Sequence, residues 1–378
     1  MKNLISISIV LIISLIIFNG LGNAVLDNED RAQEFALGID NTAFFPNDNG
    51  LAYHCSDFKY FPIQNCIDSF EEHSSDNSLV IYTGNSQLHG INQPEKGLNS
   101  TSKILYESLQ ENKNKAITVS IPNLNLQEQL ILNIYLASKL PVTHLLLAAS
   151  FDNTRETSIR ESILPALKDQ FVVKELDKLT FGKKILQTYG EKDNAGNDLS
   201  IEDDNLQQKV EKILDRMLTS IWPAWGMRER LRYRTIIEAY QLRNRVFGIT
   251  ANSTRKKIPA RYSDNMKSMR SLLEFASINN LKVLIYSPPI RSDQKLPYDL
   301  NEFQQYKDDV RIMTNEFGFE FADLQYVVPS EYWGYVDDTN SNTGNVEVDF
   351  MHFQGEGHAF LASEILQIFD NLKWLDKK

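Results

Sequence analysis

Three residues near opposite ends of the chain have the side chains that acyl-group chemistry needs. They are Ser86, Asp349 and His352. A serine hydroxyl is a poor nucleophile until a base takes its proton. An imidazole can be that base, and a carboxylate can hold the imidazole in the accepting tautomer. Ser86 lies in Gly84-Asn85-Ser86-Gln87, directly after the apolar run Ser78–Thr83. That run reads as a central strand, and Gly84 permits a sharp turn that a Cβ would resist. Ser86 is then expected at the carboxyl end of a sheet, where open α/β folds bind ligands. Its own backbone N–H can help to stabilise an oxyanion. The plain alternative is a turn serine that caps a helix. Asp349-Phe350-Met351-His352 stands before the final helical pattern. A spacing of three predicts both side chains on one side of a helical turn. Alone, this would read as a surface Asp–His pair. With both motifs in one alternating α/β chain, the catalytic reading is preferred.

Other residues compete for roles. His89, three after Ser86, is a rival base or a solvated helix histidine. Arg291 follows a strand end and can hold an anionic substrate group, or pair with Asp293. Asp152 and Arg155 can form a local salt bridge. His352 and His358 are wrongly spaced for two metal ligands on one helix face. There is no glycine-rich phosphate loop and no dinucleotide fingerprint. No metal or cofactor is expected.

The elements that must position these residues alternate along the chain. Strand-like runs are Ser78–Thr83, Ala116–Ile121, His144–Ala149, Leu281–Ser287 and Phe319–Ala322. Most are largely apolar, as strands buried on both faces should be. Helical patterns cover Ser100–Gln110, Leu126–Ser138, Ser263–Asn279, Leu300–Phe317 and Glu356–Leu372, with Gly318 as a helix stop. Alternation of this kind implies βαβ units and helices on both faces of the sheet. The expected fold is a flavodoxin-like three-layer α/β sandwich with a mostly parallel five-stranded sheet. A helical insertion at about 155–260 interrupts it. This insertion reads either as a cap over the site or as extra packing at the domain edge.

Residues 1–24 read as a signal peptide or an N-terminal membrane anchor. Lys2 precedes an uncharged stretch from Asn3 to Asn23, and Asp27, Glu29 and Asp30 follow. Residues 25–75 read as an irregular extension and 76–378 as the α/β domain. In an exported chain, Cys55 and Cys66 are expected to form a disulfide. The net charge of -11 argues against nucleic acid as a partner. The content of 42% hydrophobic and 24% charged residues argues against disordered and collagen-like classes.

The two motifs resemble those of the SGNH, or GDSL-like, hydrolases and acyltransferases. That superfamily opens with Gly-Asp-Ser after the first strand and closes with Asp-x-x-His before the last helix. Gly84-Asn85-Ser86-Gln87 and Asp349-Phe350-Met351-His352 match these blocks, with Asn85 in place of the usual Asp. The resemblance covers roughly residues 76–155 and 262–375. It implies Ser86 as nucleophile, His352 as general base and Asp349 as its partner. It also implies oxyanion donors after the second and third strands. Asn123 stands near the usual Gly, and Asn153 offers a side-chain N–H, but Asp152-Asn153 reverses the usual order. Ser287-Pro288-Pro289-Ile290-Arg291 and Asp323-Leu324 are similar to envelope proteins that assist glycan acylation. The implied activity is that of an exported serine esterase or O-acyltransferase acting on an ester or an acylated envelope glycan. Two other readings stand beside it. One is a non-catalytic scaffold that binds glycan or a membrane-bound acyltransferase. The other is a surface lipase with a helical lid.

Overall fold

In the computed structural model the described residues are 54–56, 67, 78–89, 100–111, 114–160, 162–190, 217, 239, 242–250, 253–337 and 346–374. The chain divides into two compact units. One comprises residues 1–40, 198–250 and 337–345; the other comprises 41–197, 251–336 and 346–378. The second unit contains the sheet and the three residues of interest.

The sheet has six strands, all parallel. In chain order they are β1 (His54–Ser56), β2 (Leu79–Gly84), β3 (Lys115–Ser120), β4 (Val142–Ala148), β5 (Lys282–Ser287) and β6 (Glu320–Asp323). Their order across the sheet is β1-β3-β2-β4-β5-β6. The expected count of five is therefore corrected to six. The extra strand, β1, lies inside what reads as an irregular extension. It has only three residues and pairs with β3 at an edge, His54 opposite Thr118. So short a strand carries no periodicity of its own.

Side-chain alternation explains why β2, β4 and β5 are largely apolar. Leu79, Ile81, Leu145, Leu147, Val283 and Ile285 enter one core. Val80, Tyr82, Leu146, Ala148, Leu284 and Tyr286 enter the other. With a period of two, only a strand covered on both faces needs both sets. The helices that cover the sheet are α1 (Thr101–Glu111), α2 (Leu126–Lys139), α3 (Gln170–Lys178), α4 (Pro259–Ile278), α5 (Leu300–Glu316) and α6 (Gly355–Asn371). Apolar residues of α2 to α5 join the first core, and those of α1 and α6 the second. The result is a three-layer α/β sandwich. Asn125 and Glu128 form a capping box on α2. Gly318, just past α5, has φ +72°, the left-handed conformation expected of a helix stop.

Part of the expected insertion is core packing. Ile163, Leu167, Val172, Leu176, Phe181 and Ile185 are buried in the first core, beside α2 and α4. Residues 198–250 fall in the other unit, and most of them lie outside the described residues. The leader at 1–24 also lies outside them. Among the described residues no helix is long and apolar enough to cross a membrane. Cys55 is buried and is not a free thiol. Its expected partner, Cys66, lies outside the described residues, so that pairing stays a proposal.

Beside the sheet, β7 (Trp333–Asp337) pairs with β8 (Val346–Phe353) in a separate two-stranded ribbon. Asp349 and His352 are on β8. The expected helical turn is not formed there.

Candidate active site

The parallel register levels the carboxyl ends of the strands. Gly84 lies opposite Ser120, Ala148 opposite Tyr286, and Ser287 opposite Asp323. The segments that leave these ends therefore gather along one edge. Immediately after β2, Asn85 caps a short 3-10 turn, Ser86–Leu88. Asn85 Oδ1 accepts the N–H of Gln87 at 3.0 Å. Ser86 is the first residue of that turn, where an N–H has no acceptor within the helix. Gly84 is required here for a reason other than turn conformation, since its φ is not positive. A Cβ at this position would come 2.8 Å from Leu88 Cδ1 and 3.0 Å from Ala148 Cβ. The glycine lets the serine-bearing turn fold down onto β4.

Ser86 Oγ and His352 Nε2 lie 3.0 Å apart. His352 Nδ1 lies 2.8 Å from Asp349 Oδ2. The Asp–His spacing of three works through a different geometry from a helical turn. Asp349 Oδ1 accepts the backbone N–H of Met351 at 2.8 Å and that of His352 at 3.0 Å. This side-chain turn curls the strand so that residues three apart meet. Burial pushes the Asp349 carboxyl up. The adjacent His352 and the hydrogen bonds from His352 and from the two N–H groups outweigh that, so its pKa is lowered. An ionised carboxylate only accepts, which places the hydrogen of His352 on Nδ1. Nε2 is then free to accept from Ser86 Oγ.

The other candidate residues are placed as follows. His89 is buried, and its ring meets that of His54 edge-on at 5.6 Å between centroids. It is therefore a packed core residue rather than a solvated one. Its backbone N–H donates to the Ser86 carbonyl at 3.0 Å, while the ring that meets Ser86 Oγ is that of His352. Arg291 is also buried. It gives Nε to Asp293 Oδ1 at 2.7 Å, Nη2 to Asp293 Oδ2 at 3.2 Å and Nη1 to the Gly334 carbonyl at 3.1 Å. Of its two expected roles, the structure shows the pairing with Asp293. Asp152 meets Arg155 at 3.7 Å, but its shorter bond, 2.7 Å, is to Arg255.

The two asparagines expected near the oxyanion differ from each other. Asn123 is exposed and has φ +55°. It adopts the left-handed backbone that Gly favours and that Asn tolerates better than most residues. Asn153 is buried. Its Oδ1 accepts the N–H and the hydroxyl of Ser150 at 2.7 and 2.9 Å, and its Nδ2 donates to the Leu124 carbonyl. Its side chain thus ties the loop after β4 to the loop after β3.

The two residues that flank Ser86 in its motif make bonds that the motif does not announce. Asn85 Nδ2 donates to Ser150 Oγ at 3.1 Å, joining the ends of β2 and β4. Gln87 donates Nε2 to the carbonyls of Pro289 and Met351, each at 2.7 Å. Its partners are main-chain atoms far along the chain, which no side-chain pattern announces. Three of the buried histidines, His54, His89 and His358, have their protonation shifted by burial. His54 Nε2 meets Ser120 Oγ at 2.6 Å, and His358 Nδ1 meets Thr101 Oγ1 at 2.9 Å. Burial lowers His54 to about 4 and, helped by nearby histidines, His358 to about 3. Burial, and then proximity to His54, lowers His89 as well. All three stay neutral at neutral pH and add no positive charge.

No protein-family model matches the chain, and no curated protein matches it. Solved structures do. A GDSL-like lipase from Bacteroides thetaiotaomicron has 11% identity and a TM-score of 0.36, covering 78% of this chain and 88% of that one. An acetylxylan esterase from Geobacillus stearothermophilus, solved as a catalytic mutant, has 10% identity and a TM-score of 0.36, covering 78% and 94%. At these values the agreement is partial, and the chemistry has to be read from the site itself.

Proposed function

We propose that this chain is an SGNH-type serine hydrolase or O-acyltransferase that works through an acyl-serine at Ser86. One observation carries the proposal. Ser86 Oγ, His352 and Asp349 form a continuous hydrogen-bonded relay, with steps of 3.0 and 2.8 Å. Both lengths lie within the reach required for general-base catalysis.

In this mechanism Ser86 Oγ attacks the carbonyl carbon of an ester while His352 Nε2 takes the hydroxyl proton. Asp349 stabilises the imidazolium that forms and is not itself protonated. Collapse of the tetrahedral intermediate breaks the bond to the leaving alcohol, which takes the proton from Nε2. Water or a sugar hydroxyl then gives its proton to Nε2 and attacks the acyl-serine, and Ser86 leaves with that proton. The Ser86 N–H is assigned as first oxyanion donor because of its place at the start of the turn. Such a donor is typically worth about 3–4 kcal/mol of barrier. The substrate class we infer is an ester or an acylated cell-envelope glycan, reached after export through the leader. The motif resemblance supports this finer reading.

The test is labelling of the full chain with a fluorophosphonate probe, beside hydrolysis of short acyl esters. Wild type should be labelled and active; Ser86→Ala and His352→Ala should not. Activity that survives both substitutions sinks the assignment. An unlabelled wild type that still binds glycan supports a non-catalytic scaffold instead.

A further inference from the structure

We propose that Gln87 is a positioning residue whose side-chain amide sets the separation of Ser86 Oγ from His352 Nε2. The inference rests on the acyl-serine reading and assigns a role that neither motif contains. Gln87 directly follows the nucleophile, and Met351 directly precedes the base. Gln87 Nε2 donates to the Met351 carbonyl at 2.7 Å and to the Pro289 carbonyl at 2.7 Å. The two bonds join three separate segments: the turn after β2, the loop after β5 and strand β8. The loop after β5 is itself tied to β8, because the N–H of Arg291 donates to the Phe350 carbonyl at 3.2 Å. The serine turn, the loop and the histidine strand are thereby braced as a triangle one residue from the reacting atoms.

The orientation of the amide is fixed by its surroundings. Rotating it by half a turn would set Oε1 against two carbonyl oxygens, which no neutral amide tolerates. In the orientation present, Oε1 is buried and has no hydrogen-bond partner among the described residues. Burying an unpaired acceptor is unfavourable. The residue therefore serves through its two hydrogens. A buried glutamine that only filled space would not need them, and methionine would fill the same volume.

Second-order rate constants of fluorophosphonate labelling on the full chain test this, with thermal midpoints measured on the same samples. Gln87→Met removes both donors at nearly constant volume. We expect labelling to slow by about 10- to 100-fold, comparable with misplacing a catalytic group by an ångström. Gln87→Lys, which donates but cannot accept, should recover part of that loss. Equal labelling of wild type and Gln87→Met overturns the proposal. So does an equal loss in the Met and Lys variants, because restoring a donor would then make no difference.

Gln87→Glu provides a second measurement, which does not depend on the Met variant folding. A protonated Glu can donate to one of the two carbonyls; an ionised one can donate to neither. The ratio of its labelling rate to that of wild type should rise as the pH falls from 8 to 6. A flat ratio overturns the clamp. If wild type itself is not labelled, the acyl-serine reading fails separately. The clamp is then judged from a crystal structure of Gln87→Met: a broken Ser86–His352 hydrogen bond supports it, and an unchanged one overturns it.

Discussion

Asp349 binds His352 twice, through the ring and through the backbone. Oδ2 lies 2.8 Å from Nδ1, while Oδ1 takes the N–H of the same residue at 3.0 Å. One carboxylate thus shapes the strand and orients the imidazole. Asp349→Asn should separate these roles. The amide oxygen can keep the backbone bonds, but the amide nitrogen faces Nδ1 as a donor and favours the wrong tautomer. We expect the fold to persist and ester hydrolysis to drop by about 10⁴-fold. Steady-state rates with a circular dichroism control measure it. A drop below tenfold would remove Asp349 from the relay.

The buried histidines give acid sensitivity a defined window. His54 has a folded pKa of about 4, against an ordinary value of 6.5. The unfolded chain therefore binds the extra proton first. Stability from this residue is complete above pH 6.5, is lost as pH falls towards 4, and changes no further below that. Between pH 7.5 and 5 the loss is on the order of 2 kcal/mol. His54→Gln can keep a bond to Ser120 but does not titrate. Its urea midpoint should fall less than that of wild type over this interval. Parallel curves would show that His54 is not the group responsible.

Asn85 occupies the place where the family pattern has Asp, and its donor is needed. The single hydroxyl hydrogen of Ser150 goes to Asn153 Oδ1, so Ser150 Oγ accepts from Asn85 Nδ2. Asn85→Asp would set two acceptors in competition for that hydrogen. Asn153 Oδ1 keeps the Ser150 N–H if it loses, but a carboxylate Oδ2 at position 85 that loses is left buried and unpaired. The expected cost is about 1–3 kcal/mol, read from denaturant unfolding. Unchanged stability would mean that the Ser150 network rearranges freely.

Gly84 is held by close contact, so Gly84→Ala should displace the serine turn. The new methyl meets Leu88 Cδ1 at 2.8 Å, and that side chain is fully buried. Overpacking of this kind costs about 1–3 kcal/mol. Labelling of Ser86 should slow as well, because Leu88 belongs to the same turn. Wild-type labelling with reduced stability would show that the strain is absorbed elsewhere.

Strands β2 to β5 were legible in the sequence because burial on both faces writes itself as apolar runs, whereas β6, half-exposed at the sheet edge, gave only a short one. The Ser86 and Asp349–His352 motifs were legible because side chains define them. The geometry of the second was not. A spacing of three suits a helical turn, and here it is met by a strand bent around its own aspartate. Strand β1 was hidden by its shortness. Arg291 left both of its roles open, because nothing in the sequence shows that Gly334 would take one of its donors. Gln87 stayed silent for a related reason, as its partners are carbonyl oxygens on distant segments.

The proposed nucleophile follows β2, whereas its proposed base stands on β8, the strand that leads into α6. Synthesis runs in the same direction, so the serine exists long before the imidazole that would activate it. On the proposed assignment, a polypeptide interrupted before residue 352 would carry Ser86 as an ordinary alcohol. Reactivity at Ser86 then requires the chain to extend at least through His352.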